Sequence, residues 1–95
     1  MKKDDKIQQH LLIFAWRIKE LRNLNDFSAK YVADKIGITE EEYLSVEEGN
    51  PLIDALQAFA LCELYDVTPN YLLGFSNDPV SLHNLQKNGG GESRN

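Results

Sequence analysis

Helix-capping hydroxyl residues and helix-ending glycines alternate in the middle of this sequence. Ser28 can cap a helix that ends at Gly37, because a serine oxygen accepts hydrogen bonds from a first helical turn and glycine tolerates the left-handed backbone of a helix end. Thr39 follows two positions later, and Glu42 stands three positions beyond it, which is the spacing of a capping box. The helix that Thr39 caps stops at Gly49. Two short helices joined by a tight turn are therefore predicted.

Three further helical segments surround this pair. Apolar residues at helical spacing predict a first helix that extends back to Ile7. Asp54 with Gln57 marks the start of a fourth helix, and Thr68-Pro69 marks the start of a fifth, since proline fits the first position of a helix. Asp78-Pro79 allows a short sixth helix. Because no segment shows the sustained alternation of a strand, the predicted fold is all-α, a compact bundle of five helices.

Length and composition limit the classes of function. The chain has 95 residues, of which 10 are Lys or Arg and 15 are Asp or Glu, so its net charge is −5 and it suits a single domain. Cys62 is alone, and neither histidine has a partner at zinc-ligand spacing. The longest apolar run, residues 11–16, is too short to cross a bilayer, so we expect a cytoplasmic protein with no membrane partner. The sequence contains no phosphate loop or nucleophile motif, so we expect no cofactor, no metal site and no enzymatic activity.

Five short stretches carry a resemblance to a known family. They are residues 14–22, 27–28, 32–39, 47–49 and 66–74, in this order and spacing. Together they resemble the phage-repressor (lambda-repressor-like, or XRE) family of helix-turn-helix DNA-binding domains. The resemblance implies a bacterial transcriptional regulator that binds double-stranded DNA and forms a dimer. It also implies that residues 14–75 form the helix-turn-helix domain. The helical pattern makes residues 1–13 an extension of the first helix, residues 76–87 form a short C-terminal segment that can be helical, and the composition of residues 88–95 predicts a disordered tail.

The resemblance also implies which residues contact DNA. In this family the third helix enters the major groove and the residues at its start reach base edges. The positions that correspond here, together with those at the start of the second helix and after the third, are Ala29, Lys30, Thr39, Glu40, Glu41, Glu42, Ser45 and Asn50. The family's pairing of a first-helix arginine with a glutamate at the end of the third helix carries over to Arg22 and Glu47, and we interpret this pair as structural.

The charge of this region leaves two hypotheses open. Residues 28–50 contain two lysines and six carboxylates, a net charge of −4, whereas affinity for DNA depends largely on neutralising phosphates. Three consecutive glutamates could also serve only to stabilise the positive end of their helix. One hypothesis is therefore a DNA-binding regulator, favoured if a ring of cations (Arg17, Lys19, Lys30 and Lys35) surrounds the third helix. The other is an acidic module that does not bind DNA and engages a basic protein partner.

Apolar residues off the core stripe of the first helix predict an association patch. The patch contains Leu12, Ile13 and Trp16, with Val80, Leu82 and Leu85 from the C-terminal segment. On one interpretation the patch binds a second copy or a protein partner. On the other, the C-terminal segment folds back and covers it. The remaining expectations are a buried, inert Cys62, solvent-exposed histidines at positions 10 and 83, and tyrosines 31, 43, 65 and 71 at the rim of the core.

Overall fold

The computed structural model describes residues 2–50 and 53–79, with side chains from Lys6 onward. This part of the chain forms five helices and no strand, which confirms the all-α prediction. The helices are α1 (Lys2–Leu24), α2 (Ala29–Ile36), α3 (Glu40–Glu47), α4 (Ala55–Tyr65) and α5 (Pro69–Leu72). The predicted sixth helix and the C-terminal tail lie outside the described residues, and the predicted domain boundaries remain a prediction. Within the described residues, no helix has both the length and the apolar character that crossing a membrane requires.

Each of the last four helices begins at the cap that the sequence predicts. The side chains of Ser28, Thr39, Asp54 and Thr68 each accept a hydrogen bond from the backbone N–H three residues on. At α3 and α4 the bond is reciprocated, which completes a capping box at both helices. A cap of this kind stabilises a helix by about 1 kcal/mol, so these local signals fix where the short helices start.

The turn between α2 and α3 depends on one left-handed residue. Gly37 has φ +84°, and its N–H donates to Ala33 O at 2.9 Å, while Ile38 N donates to the same oxygen at 3.0 Å. A Cβ at Gly37 would meet no atom within 4 Å, so the backbone angle alone calls for glycine here. Ala33 is fully buried and Ile38 packs against the core, as expected for two helices that approach closely.

The core lies where α1 to α4 meet. Its fully buried members include Ile18, Val32, Tyr43, Val46 and Leu61. The position of Tyr43 corrects the prediction that the four tyrosines lie at the rim, because Tyr43 occupies the middle of the core. Tyr43 and Val46 are the buried residues of α3, and the ring of Tyr43 adds its apolar surface to the core.

A second set of contacts joins α1 to α5 and to the segment that follows α5. Arg17 donates to Tyr71 O, to Ser76 O at 2.7 Å and to Asn77 Oδ1 at 2.8 Å, and its guanidinium lies 4.3 Å from the centroid of the Tyr71 ring. His10 Nδ1 donates to Leu73 O at 2.5 Å. His10 is partly buried, which corrects the prediction that this histidine is solvent-exposed; His83 lies outside the described residues.

Candidate nucleic-acid interface

Helix α3 presents one face to the core and the other to solvent. Tyr43 and Val46 are buried, whereas Glu40, Glu41 and Leu44 are exposed. Leu44, which directly follows the buried Tyr43, is 40% exposed. It lies one helical turn after Glu40, so these two side chains share the outward face. Leu44 was not among the predicted DNA-contacting residues, although its spacing from Glu40 places it on the same face of α3.

The three consecutive glutamates of α3 do not share one role. Glu42 Oε1 accepts a hydrogen bond from Thr39 N at 2.9 Å, and Thr39 Oγ1 accepts one from Glu42 N at 3.1 Å. The Glu42 carboxylate and the Thr39 hydroxyl are thus engaged in capping their own helix. Among the described residues, Glu40 and Glu41 make no side-chain hydrogen bond or ion pair, and both are exposed. These two carboxylates are free to meet a ligand or to repel one.

The end of α3 brings two other predicted site residues together. Asn50 Nδ2 donates to Ser45 Oγ at 2.9 Å, and Asn50 N donates to Ser45 O at 3.1 Å. Ser45 is partly buried and Asn50 is exposed. Since the amide nitrogen still has a second N–H, Asn50 can donate to an external acceptor while it remains bonded to Ser45.

The start of α2 contributes one cation. Ala29 packs against the core, and its methyl group cannot donate a hydrogen bond to a phosphate. Lys30 is exposed, and its Nζ lies 3.4 Å from Asp34 Oδ2 in an i,i+4 pair with both side chains more than half exposed. Such exposed pairs contribute only about 0–1 kcal/mol, so Lys30 can exchange Asp34 for a phosphate.

Of the four cations whose arrangement around α3 would favour DNA binding, one is held by other contacts. Arg17 is engaged by the backbone and side chain of the segment after α5, and Lys35 Nζ lies 5.2 Å from the centroid of the Tyr31 ring. Lys19 lines a groove beside Glu47 and Glu48. Arg17 is therefore held away from a ligand, whereas Lys19, Lys30 and Lys35 are exposed, and residues 28–50 carry a net charge of −4.

Arg22 and Glu47 are joined across the ends of α1 and α3. Arg22 Nε donates to Glu47 Oε2 at 2.6 Å and Nη2 donates to Oε1 at 3.0 Å, while Nη1 donates to Phe27 O at 3.2 Å. The side chains are 15% and 5% exposed. Hydrogen bonding to Glu47 raises the pKa of Arg22 further above its already high value, so the guanidinium is charged at any relevant pH. Burial, reinforced by the Glu47 carboxylate, also raises the pKa of Tyr43, which keeps this hydroxyl neutral.

The predicted association patch is only partly described. Leu12 and Trp16 are exposed, whereas Ile13 is partly buried and lies against Gly74. Leu12, Ile13 and Trp16 line a groove of about 650 Å³ whose rim includes Lys19, Glu47 and Glu48. Val80, Leu82 and Leu85 lie outside the described residues, so the function of this patch stays a prediction.

Comparison with known proteins identifies the relatives of this chain. Residues 18–72 match the helix-turn-helix family. The chain is 33% identical to the uncharacterized HTH-type transcriptional regulator YobD of Bacillus subtilis over 80 residues, which are 79% of this chain and 70% of that protein. It is 38% identical to the HTH-type transcriptional regulator AnsR of the same bacterium over 60 residues, 61% of this chain and half the length of AnsR. No solved structure matches. The match over more than half of the sequence, together with the α2–turn–α3 geometry, shows that the chain belongs to the helix-turn-helix family.

Proposed function

We propose that this helix-turn-helix chain regulates transcription by binding double-stranded DNA as a pair of copies, with the outward face of α3 in the major groove. Membership of the helix-turn-helix family carries this proposal, and the two relatives bear names of transcriptional regulators. An α-helix with its side chains is about 10–12 Å across, so α3 fits a major groove that is about 12 Å wide. Two copies would present two such helices to successive turns of the duplex, so a palindromic operator is expected.

The exposed residues of α3 suggest how bases are read. A glutamate accepts a hydrogen bond from the N4 amino group of cytosine, and an apolar side chain contacts the methyl group of thymine. Glu40 or Glu41 can make the first contact and Leu44 the second, since all three are exposed on α3. Lys30 and Asn50, at opposite ends of the motif, are the candidate phosphate ligands. Glu42 and Thr39 cap α3, so neither is a candidate for contact with a base.

The charge distribution favours a second candidate function. Residues 28–50 carry a net charge of −4, and Arg17 is bonded away from α3. A protein that neutralises few phosphates loses the counterion release on which generic DNA affinity depends. The same acidic face would attract a basic protein, so an interaction module that does not bind DNA is the alternative.

Titration of fluorescently labelled generic duplex DNA, followed by anisotropy at low and at physiological salt, separates the two candidates. The DNA-binding proposal expects micromolar binding that weakens steeply as salt is added. Glu41→Gln should strengthen generic binding several-fold, because it removes a negative charge from the interface. Glu63→Gln is the matched control, since Glu63 is an exposed glutamate on α4. No binding at low salt, by the natural chain or by Glu41→Gln, would reject DNA binding and leave the protein-interaction alternative.

A further inference from the structure

The outward face of α1 carries two large apolar side chains that stay exposed within the described part of the chain. Trp16 is 61% exposed and Leu12 is 51% exposed, and they lie one helical turn apart. Together with Ile13 they line the groove of about 650 Å³ beside the end of α3, which we call the α1 groove. Because removing apolar surface from water is favourable, a segment that covers this groove gains free energy.

The last described residues of the chain lie at the same groove. Asn77 lines it, and Pro79 is the last residue that the structure describes. Arg17 of α1 also lines the groove and holds this part of the chain, since it donates to Ser76 O at 2.7 Å and to Asn77 Oδ1 at 2.8 Å. The residues that follow Pro79 therefore start beside the exposed face of α1.

The segment from Val80 to Lys87 has the apolar residues and the length to cover the α1 groove. Val80, Leu82 and Leu85 supply three apolar side chains within six positions. The eight residues of the segment span about 12 Å as a helix and about 26 Å when extended. Either length is enough to cross a groove of about 650 Å³.

The charge of the segment also suits this position. No carboxylate occurs between Asp78 and Glu92, although 15 of the 95 residues are Asp or Glu. The segment can therefore approach the rest of this acidic chain without repulsion between carboxylates. Lys87 is its only Lys or Arg, and the exposed carboxylate of Glu48 stands at the rim of the groove.

Attachment to the same chain favours this segment over a separate partner. A short tether gives the attached segment an effective concentration of about millimolar at its site. A second copy would have to reach a similar concentration to compete for the groove. It would also bring a second net charge of −5 against the first, which opposes its approach.

We propose that the segment from Val80 to Lys87 lies in the α1 groove of its own chain and covers Trp16. Its apolar side chains pack against Leu12 and Trp16, and its lysine is placed to pair with Glu48. The segment thereby removes this face of α1 from the surfaces to which a second copy or another protein can bind. The inference is independent of whether the chain binds DNA.

Fluorescence of Trp16 tests the proposal, because this is the only tryptophan of the chain. In the natural chain acrylamide should quench Trp16 weakly. In Leu82→Glu/Leu85→Glu we expect the quenching constant to rise about two-fold or more, since the segment no longer covers a ring that is 61% exposed without it, and the emission should shift to longer wavelength.

Ser81→Glu/Asn84→Glu is the matched control, because it adds the same two charges to the same segment and keeps both leucines. Its quenching should equal that of the natural chain. Circular dichroism should show that both double variants stay folded, since none of the four positions belongs to the described core. If the leucine variant unfolds, Leu82→Ala/Leu85→Ala replaces it, with the same direction expected.

Three results would overturn the proposal. The first is equal quenching in the natural chain and the leucine variant. The second is quenching that rises to the same extent in the control, which would mean that charge alone displaces the segment. The third is quenching of the natural chain that increases when the protein is diluted, since this would identify a second copy as the occupant of the groove.

Discussion

Removal of the Glu47 carboxylate should destabilise the fold more than any change to the exposed glutamates of α3. In Glu47→Ala the guanidinium of Arg22, 15% exposed, loses both carboxylate bonds and keeps only its bond to Phe27 O. Breaking a buried pair by removing one partner costs about 3–5 kcal/mol, and the residual exposure of Arg22 places the expected loss near 3 kcal/mol. Domains of this size have free energies of unfolding of about 5–15 kcal/mol.

Urea unfolding followed by circular dichroism measures this loss, and thermal unfolding should show a Tm lower by at least about 12 °C. Glu48→Ala is the matched control, because it removes the same charge from the next, exposed position. Its free energy of unfolding should change by less than about 0.5 kcal/mol. The reasoning is refuted if Glu47→Ala loses no more stability than Glu48→Ala. In a double-mutant cycle with Arg22→Met, the two losses should be far from additive, since each variant breaks the same pair.

Three further predictions concern the caps, a glycine and the thiol. Thr39→Ala should lower the free energy of unfolding by about 1 kcal/mol in urea titrations, because α3 loses its cap, whereas Thr39→Ser should retain most of it. Gly74→Ala should cost more than about 1 kcal/mol, since φ is +86° and the added Cβ would lie 2.9 Å from Ile13 Cγ2; a Tm equal to that of the natural chain would contradict this. Burial raises the pKa of Cys62 from 9.0 to about 11. The unfolded thiol therefore loses its proton first, so stability should fall by up to about 2 kcal/mol as pH rises from about 9 to about 11. In Cys62→Ala this slope should be smaller between pH 9 and 10, which urea titrations at a series of pH values would show.

The local signals in the sequence predicted the helices well because each depends on neighbouring residues only. A cap such as Ser28 or Thr39 bonds within its own first turn, and Gly37 needs only its backbone angle. The all-α class and the start of each short helix follow from these contacts. The Arg22–Glu47 contact was expected from family resemblance, since no local pattern joins residues 25 positions apart.

The interface was harder to predict, because exposure depends on which helix packs against which. Leu44 and Tyr43 are adjacent, yet the bundle buries one and exposes the other. The sequence suggested that Arg17 could contact DNA. Its hydrogen-bond partners Ser76 and Asn77 are more than 50 residues away, and no local pattern in the sequence predicts such a contact. The same reason applies to His10, whose acceptor is the carbonyl of Leu73.

The bonds of Arg17 have a consequence for how the protein is made. They join the middle of the first helix to Ser76 and Asn77, so the last contacts of the domain involve one of its earliest segments. During synthesis α1 to α3 emerge first, but α1 cannot complete its contacts until the residues after α5 have left the ribosome. We therefore expect the early chain to expose the apolar face of α1 to chaperones, and the final closing of the fold to follow soon after Asn77 emerges.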